Sequence, residues 1–131
     1  MLDSIETQVF SLIKAKFSAK IKAKYKDLNF TTSDRSSTKP KFPTVYIHMV
    51  DSQEAGSDLE GTSIPGVNAA FQVDVSDNQN NNRTDEVARE VLRIMKSMRF
   101  KPMPMPMHNN TGDVYITTAR YKRVIGDGDI L

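Results

Sequence analysis

Near the start of the chain apolar residues recur every four positions, at Ile5, Val9, Ile13, Phe17, Ile21 and Tyr25, with Leu12 broadening the stripe. This spacing predicts a helix from Asp3 to Lys26, opened by Asp3 and Glu6 as an acidic form of the capping box. A four-residue step overshoots the helical repeat by about 40°, so the stripe winds round the helix and its ends meet different neighbours.

The period then shortens to two. After Pro43, the residues Val45, Ile47 and Met49 alternate with Tyr46, His48 and Val50, a pattern apolar on both faces that predicts a central strand. From Asn68, the apolar Phe71, Val73 and Val75 alternate with Ala70, Gln72, Asp74 and Ser76, a strand with one wet face, paired most simply antiparallel to the first. The last strand runs from Val114 to Ile125, with Tyr115, Thr117, Ala119 and Tyr121 opposite in direction to Ile116, Thr118, Arg120 and Lys122. A short strand at Leu28 to Thr32 is compatible with the pattern.

Between the second and last strands the helical period returns. A polar turn from Ser76 to Arg83 leads to an N-cap at Thr84 or Asn82, with Asp85 and Glu86 in the first turn. The helix extends to Met98 and buries Val87, Val91, Ile94, Met95 and Met98, while Asp85 and Arg89 stand at pairing distance. Pro102, Pro104 and Pro106 then alternate with Met103, Met105 and Met107, which forbids a helix and leaves an extended edge segment. The methionine row reads equally as an adaptable binding edge or as packing beneath the helix.

Three segments lack a core-facing pattern. Thr31 to Lys41 contains no hydrophobic residue and reads as a loop. Asp51 to Gly66 reads as a second loop, acidic through Asp51, Glu54, Asp58 and Glu60. Gly126 to Leu131 reads as a short acidic tail. The expected architecture is α+β: a single domain, residues 1–131, with a mostly antiparallel sheet of about four strands and two helices on one face.

Composition narrows the functional classes. With 131 residues, 38% of them hydrophobic, the chain suits one modest core. Its 18 basic and 16 acidic residues give a formal charge of +2, too balanced to name a nucleic-acid or membrane partner. There is no cysteine, which removes disulfides and thiolate metal sites. The acidic start, Met1 to Glu6, is unlike a signal peptide and no apolar run matches a membrane span, so a soluble chain without a membrane partner is expected.

One charged cluster stands out. Lys14, Lys16, Lys20, Lys22, Lys24 and Lys26 crowd the second half of the first helix, where cations complement the macrodipole. They read either as a surface for an anion such as DNA or as a solvated helix end whose stems cover apolar neighbours.

Catalytic chemistry finds no foothold. His48 and His108 are the only imidazoles; His48 reads as a hydrogen-bonded structural residue and His108 as a solvated one beside a turn. Neither sits in a metal-binding spacing, and Asp127 and Asp129 lie too near Leu131 to begin an EF-hand loop. No glycine-rich phosphate loop occurs. A non-enzymatic module without metal or cofactor is expected.

Five blocks, taken together, carry a resemblance: Phe42 to His48, Asp58 to Glu60, Ala70 to Val75, Ile94 to Phe100, and Ala119 to Asp129. In order and spacing they resemble the tail-terminator, or tail-completion, proteins of long-tailed phages and prophages of Gram-positive bacteria. The alternation of proline and methionine at 102 to 107 departs from that pattern. The resemblance implies a ring, usually a hexamer, that caps the head-proximal end of the tail tube after assembly in the host cytoplasm, ends elongation and forms the head-tail joining surface. Its partners would be further copies of itself, the major tail tube protein and the head connector protein, with DNA only as transiting cargo. Asp51, Glu54, Asp58 and Glu60 become candidates for partner contact, and the six lysines candidates to face the channel. A head-completion or connector protein and a small DNA-binding protein are the alternatives.

Overall fold

The structure is a computed structural model that describes residues 2–32, 42–55, 66–103 and 106–125. The N-terminal stripe forms two helices instead of one, α1 (Leu2–Lys16) and α2 (Ala19–Lys24). Between them Ser18 takes extended angles, φ −59° and ψ 129°. Its backbone N–H donates to Glu90 Oε2 at 2.7 Å. The winding of the stripe supplies the reason: a straight helix would turn its far end away from the core, whereas the break keeps both Phe17 and Tyr25 buried.

Among the described residues three long strands become six once the short pieces are counted. They are β1 (Asn29–Thr31), β2 (Thr44–Ala55), β3 (Gly66–Asp77), β4 (Lys101–Pro102), β5 (Met107–His108) and β6 (Tyr115–Ile125), with α3 (Asn81–Ser97) between β3 and β4. The order across the sheet is β1-β2-β3-β6-β4, with β5 also on β6. β1 runs parallel to β2 and every other pairing is antiparallel, so the sheet is mixed. The α+β class stands, and the expected four antiparallel strands and two helices become, among the described residues, six mixed strands and three helices.

The central strand is β3, paired along its length with both β2 and β6. Among the described residues β2 has a second strand neighbour only at Thr44 to Tyr46, where β1 lies beside it. Farther along, the outward backbone N–H of Met49 is satisfied by Glu6 Oε2 at 3.1 Å, a side chain from α1 covering a sheet edge.

The expected acidic loop from Asp51 is also corrected. Past an irregularity between Met49 and Asp51, residues Asp51 to Ala55 continue β2 and pair with Gly66 to Ala70. Ladder hydrogen bonds come from the backbone, so polar side chains do not stop the strand once a bulge has reset the register. Of the loop expected from Thr31, only Thr31 and Thr32 are described, and Thr31 ends β1.

α3 begins earlier than expected. Asn80 is its N-cap, its side chain accepting from Arg83 N at 3.0 Å, in place of Thr84 or Asn82. Asp77 Oδ2 accepts from Gln79 N at 2.9 Å and fixes the preceding turn. Thr84 is instead fully buried, 2.7 Å from Thr117 Oγ1. At the other end Phe100 N donates to Met95 O and Arg99 N to Lys96 O, each at 2.9 Å. This is a Schellman ending with Arg99 at φ 66°, a left-handed position usually filled by glycine.

The core lies between the helices and one sheet face. Ile5, Val9 and Ile13 of α1 and the predicted stripe of α3 are all buried against Val45, Ile47, Phe71, Val73, Val75, Ala119 and Tyr121. Phe100, just after α3, meets Phe71 edge to face at 5.6 Å between ring centres. Among the described residues the opposite sheet face carries no helix, and Val50 and Val124 are exposed on it.

Candidate interaction surfaces

The uncovered sheet face is built by the period of two. Residues opposite in direction to the core rows are Tyr46 and His48 on β2, Gln72 and Asp74 on β3, and Thr118 and Arg120 on β6. They form a connected polar layer. Tyr46 and His48 stack at 4.1 Å, and Thr118 Oγ1 donates to Asp74 Oδ1 at 2.7 Å. Gln72 Nε2 donates to Asp74 at 3.2 Å, and Arg120 Nε donates to Gln72 Oε1 at 3.0 Å. His48 Nε2 stands 3.5 Å from Asp74 Oδ2 and makes no hydrogen bond, so stacking, not the expected hydrogen bond, holds this ring. Tyr46, His48, Gln72, Asp74 and Thr118 are half-buried and Arg120 is exposed.

A second polar group sits where α3 meets β5 and β6. His108 Nε2 lies 2.9 Å from Asp85 Oδ1, and Thr117 Oγ1 donates to the same carboxylate at 2.8 Å. His108 was expected to be solvated; it is half exposed yet paired, and Asp85 serves it instead of Arg89. The residue types are those of a nucleophilic triad, but the order is wrong. The carboxylate lies between hydroxyl and imidazole, so the imidazole does not reach the hydroxyl whose proton it would have to take. Asn81 and Asn110 exchange hydrogen bonds beside it at 2.9 and 3.2 Å, which ties the turn before β6 to the start of α3. This is a structural clasp.

The lysine cluster is divided by the break at Ser18. Lys14 and Lys16 end α1, Lys20, Lys22 and Lys24 belong to α2, and Lys26 follows in a turn; all six are exposed. Lys22 Nζ donates to Lys14 O at 2.9 Å. Lys24 Nζ donates to Glu86 at 2.9 Å and lies over the Tyr25 ring, while Tyr25 donates its hydroxyl proton to Glu86. The hydrogen bond to Glu86, with Tyr25 adding to it, holds the Lys24 ammonium above its usual range. Glu86 is held below the usual carboxylate range, first by the Tyr25 hydroxyl and then by Lys24. Burial, then the bond to Glu86, raises the Tyr25 phenol. At least Lys22 and Lys24 therefore hold α2 in place besides adding positive charge.

The acidic candidates are only partly visible. Asp51 and Glu54 stand on β2 opposite Ala70 and Val67, and Asp58 and Glu60 lie outside the described residues. The tail expected from Gly126, with Asp127 and Asp129, also lies outside them, as does Met105. Met103 and Met107 are exposed on the β6 flank, 37% and 64%, so these two are not packed beneath a helix.

One feature was missed by sequence reasoning. Arg99, Lys101, Lys122 and Arg123 converge on one cleft, together with Met103 and Val124. Two basic pairs around a helix end and in a strand were visible as residues, but the pairing of Lys101 with Lys122 depends on the register of a two-residue strand. Among the described residues no group of three or more histidines, aspartates and glutamates could hold a metal ion, and no helix is long and apolar enough to cross a membrane.

No protein-family model matches the sequence, and no curated protein matches it. Among solved structures, the fold is similar to a chain from the virion of a native gene transfer agent particle. The match has a TM-score of 0.53 at 12% identity and covers 90% of this chain and 91% of that one. At that identity the likeness is one of fold, and it extends over nearly the whole of both chains.

Proposed function

We propose that this chain is a structural, non-enzymatic component of a phage or phage-like virion, and that it acts as a tail terminator. The observation that carries the reading is the shared fold with a chain of a gene transfer agent virion over nine-tenths of both lengths. The order of sequence blocks that resembles tail-terminator proteins supports it. So does the layout of the subunit: helices cover one sheet face, while the other presents the polar layer around Tyr46, Asp74 and Arg120.

In this reading copies of the chain close into a ring, a hexamer, on the head-proximal end of the tail tube. The ring stops addition of tube protein and offers its far side to the head connector. The acidic residues Asp51, Glu54, Asp58 and Glu60 serve subunit or partner contact. The lysines at Lys14, Lys16, Lys20 and Lys26 face the path of DNA, with Lys22 and Lys24 beside them.

The test is to add the purified protein to polymerising tail tube protein and follow tube length by electron microscopy. The reading predicts tubes that stop growing, with their number conserved. Unchanged elongation, with binding instead to portal or adaptor rings, would assign the chain to head completion.

A further inference from the structure

The uncovered sheet face gathers its cations at one end. Lys101 on β4 and Lys122 on β6 are direct cross-strand partners, and both are exposed. Like charges placed opposite each other across an antiparallel pair destabilise it. Among the described residues neither lysine has a hydrogen bond or ion pair that offsets this. By register the acidic positions of the sheet stand off. Asp51 lies two strands from Lys122, about 10 Å, and Asp74 lies one strand away and four residues along, about 14 Å. Both distances exceed the screening length of about 8 Å at physiological salt.

The pair borders a cleft of about 490 Å³. β4 begins at Lys101 opposite Lys122, so among the described residues β6 continues to Ile125 with no strand on that flank. Met103 N donates to Arg120 O, and the alternation of an antiparallel ladder turns the backbone of every second residue to the same side. The N–H of Val124 therefore points to the flank where the cleft lies, and Met103 and Val124 add apolar wall. Arg99 and Arg123 complete the lining but have partners of their own, Met98 O at 3.1 Å in the case of Arg123 Nη1. The charge open to an occupant is that of the two lysines.

We propose that Lys101 and Lys122 form a binding site for a phosphate group. The charge selects the ligand: a phosphate monoester carries about −1.5 to −2 near neutral pH and offers three acceptor oxygens, enough to answer two ammoniums, whereas a carboxylate answers one. Lysine binds phosphate as a point charge with rotatable donors, so the two flexible stems close on the anion without a preformed fork. The Val124 N–H adds a fixed donor beside them. This site goes beyond the terminator reading and does not depend on it. Free phosphate and the phosphodiester backbone of DNA share the chemistry, and the experiment separates them.

Met103 lines the cleft and Met107 lies on the same flank outside its lining, so their methyl signals serve as reporter and internal control in NMR spectra of the full-length protein. Inorganic phosphate is titrated at constant ionic strength against chloride, and a short duplex DNA is titrated separately. The expected result is a saturable shift of the Met103 methyl and the Val124 amide, with Met107 unmoved. The shift is lost in Lys101→Gln with Lys122→Gln and kept in Lys16→Gln with Lys20→Gln, which removes cations from α1 and α2 instead. Saturation by phosphate alone supports the site with a free anion as its ligand. Saturation by DNA only, falling steeply as salt rises, supports it with the backbone as its ligand. No saturable shift with either probe, or one that survives Lys101→Gln with Lys122→Gln, overturns the proposal.

Stability supplies a second readout. Removing one member of the pair relieves the repulsion, so Lys122→Gln should melt above the wild type at low ionic strength, and the gap should close at about 1 M salt, where the screening length falls to about 3 Å. Phosphate should raise the Tm of the wild type and leave that of the doubly substituted chain unchanged. A Lys122→Gln variant no more stable than the wild type at low salt would show that the pair is already compensated, and would overturn the proposal as well.

Discussion

Replacing Glu90 by glutamine keeps the shape of the side chain and removes the charge that organises the break between α1 and α2. Glu90 is 7% exposed and accepts from Ser18 N at 2.7 Å, Arg93 Nε at 2.8 Å and Arg93 Nη2 at 2.7 Å. Arg93 is 59% exposed, so its pairing is screened by water and adds little. The bond from Ser18 is different. It joins a backbone donor to a buried charged acceptor, an interaction worth about 1.5–3 kcal/mol. Glutamine offers one carbonyl oxygen for donors on both sides and turns an NH₂ group toward one of them. The predicted loss is therefore about 2 kcal/mol at pH 7, or a fall in Tm of roughly 6–10 °C for a domain of this size.

The pH dependence has a definite sign. The hydrogen bonds from Arg93, and less strongly from the Ser18 amide, hold Glu90 below its ordinary value of 4.5 against the opposing effect of burial. The folded state then binds fewer protons than the unfolded one. The stabilisation is present above pH 4.5 and is lost as pH falls through the lower folded value. Glutamine does not titrate, so the gap between wild type and Glu90→Gln should narrow from pH 4.5 downward. Urea denaturation followed by circular dichroism at about pH 7 and about pH 3 measures both parts. A gap below about 0.5 kcal/mol at neutral pH, or an equal gap at both pH values, would refute the reasoning.

Three further substitutions probe other parts of the structure. Tyr121 is 1% exposed and its hydroxyl has no hydrogen-bond partner among the described residues, and burial raises its pKa well above the usual phenol range. Tyr121→Phe should raise stability by about 1 kcal/mol in thermal melts, and a loss of that size would mean the hydroxyl is satisfied. Asn80→Ala removes the cap on Arg83 N and should cost about 1 kcal/mol in the same assay, with no change in self-association if the cap acts only within the subunit. Ile94→Ala, at a fully buried position, should cost about 2–5 kcal/mol by denaturant titration, and a smaller cost would show that the core can close around the vacancy.

The main lines of the fold were legible because they rest on local periodicity. Val87, Val91, Ile94, Met95 and Met98 repeat at helical spacing, and all are fully buried. Phe71, Val73 and Val75 alternate, and they face the core. What sequence could not show depends on partners distant along the chain. The break at Ser18 is held by Glu90, seventy-two residues away. The two-residue strands β4 and β5 are too short to carry a period, and they exist because β6 offers them backbone partners.

The candidate site divides in the same way. Asp51, Glu54, Asp58 and Glu60 lie within ten residues and were legible as a charged segment, although Asp51 to Ala55 are strand. The basic cleft was not legible, because Arg99 and Lys101 are brought to Lys122 and Arg123 only by the Schellman ending of α3 and the register of β4. Arg99 occupies a left-handed position without being glycine, so the turn it makes carried no glycine signal, although the helix end near Met98 was legible from the apolar stripe.

The most direct measurement of the terminator role is to label the protein with gold and locate it on purified tail tubes by electron microscopy. A terminator predicts label at one end of each tube only, coincident with a closed ring in end-on views. Label scattered along the tube wall, or absent from tubes under conditions where the protein is folded and self-associating, would contradict it.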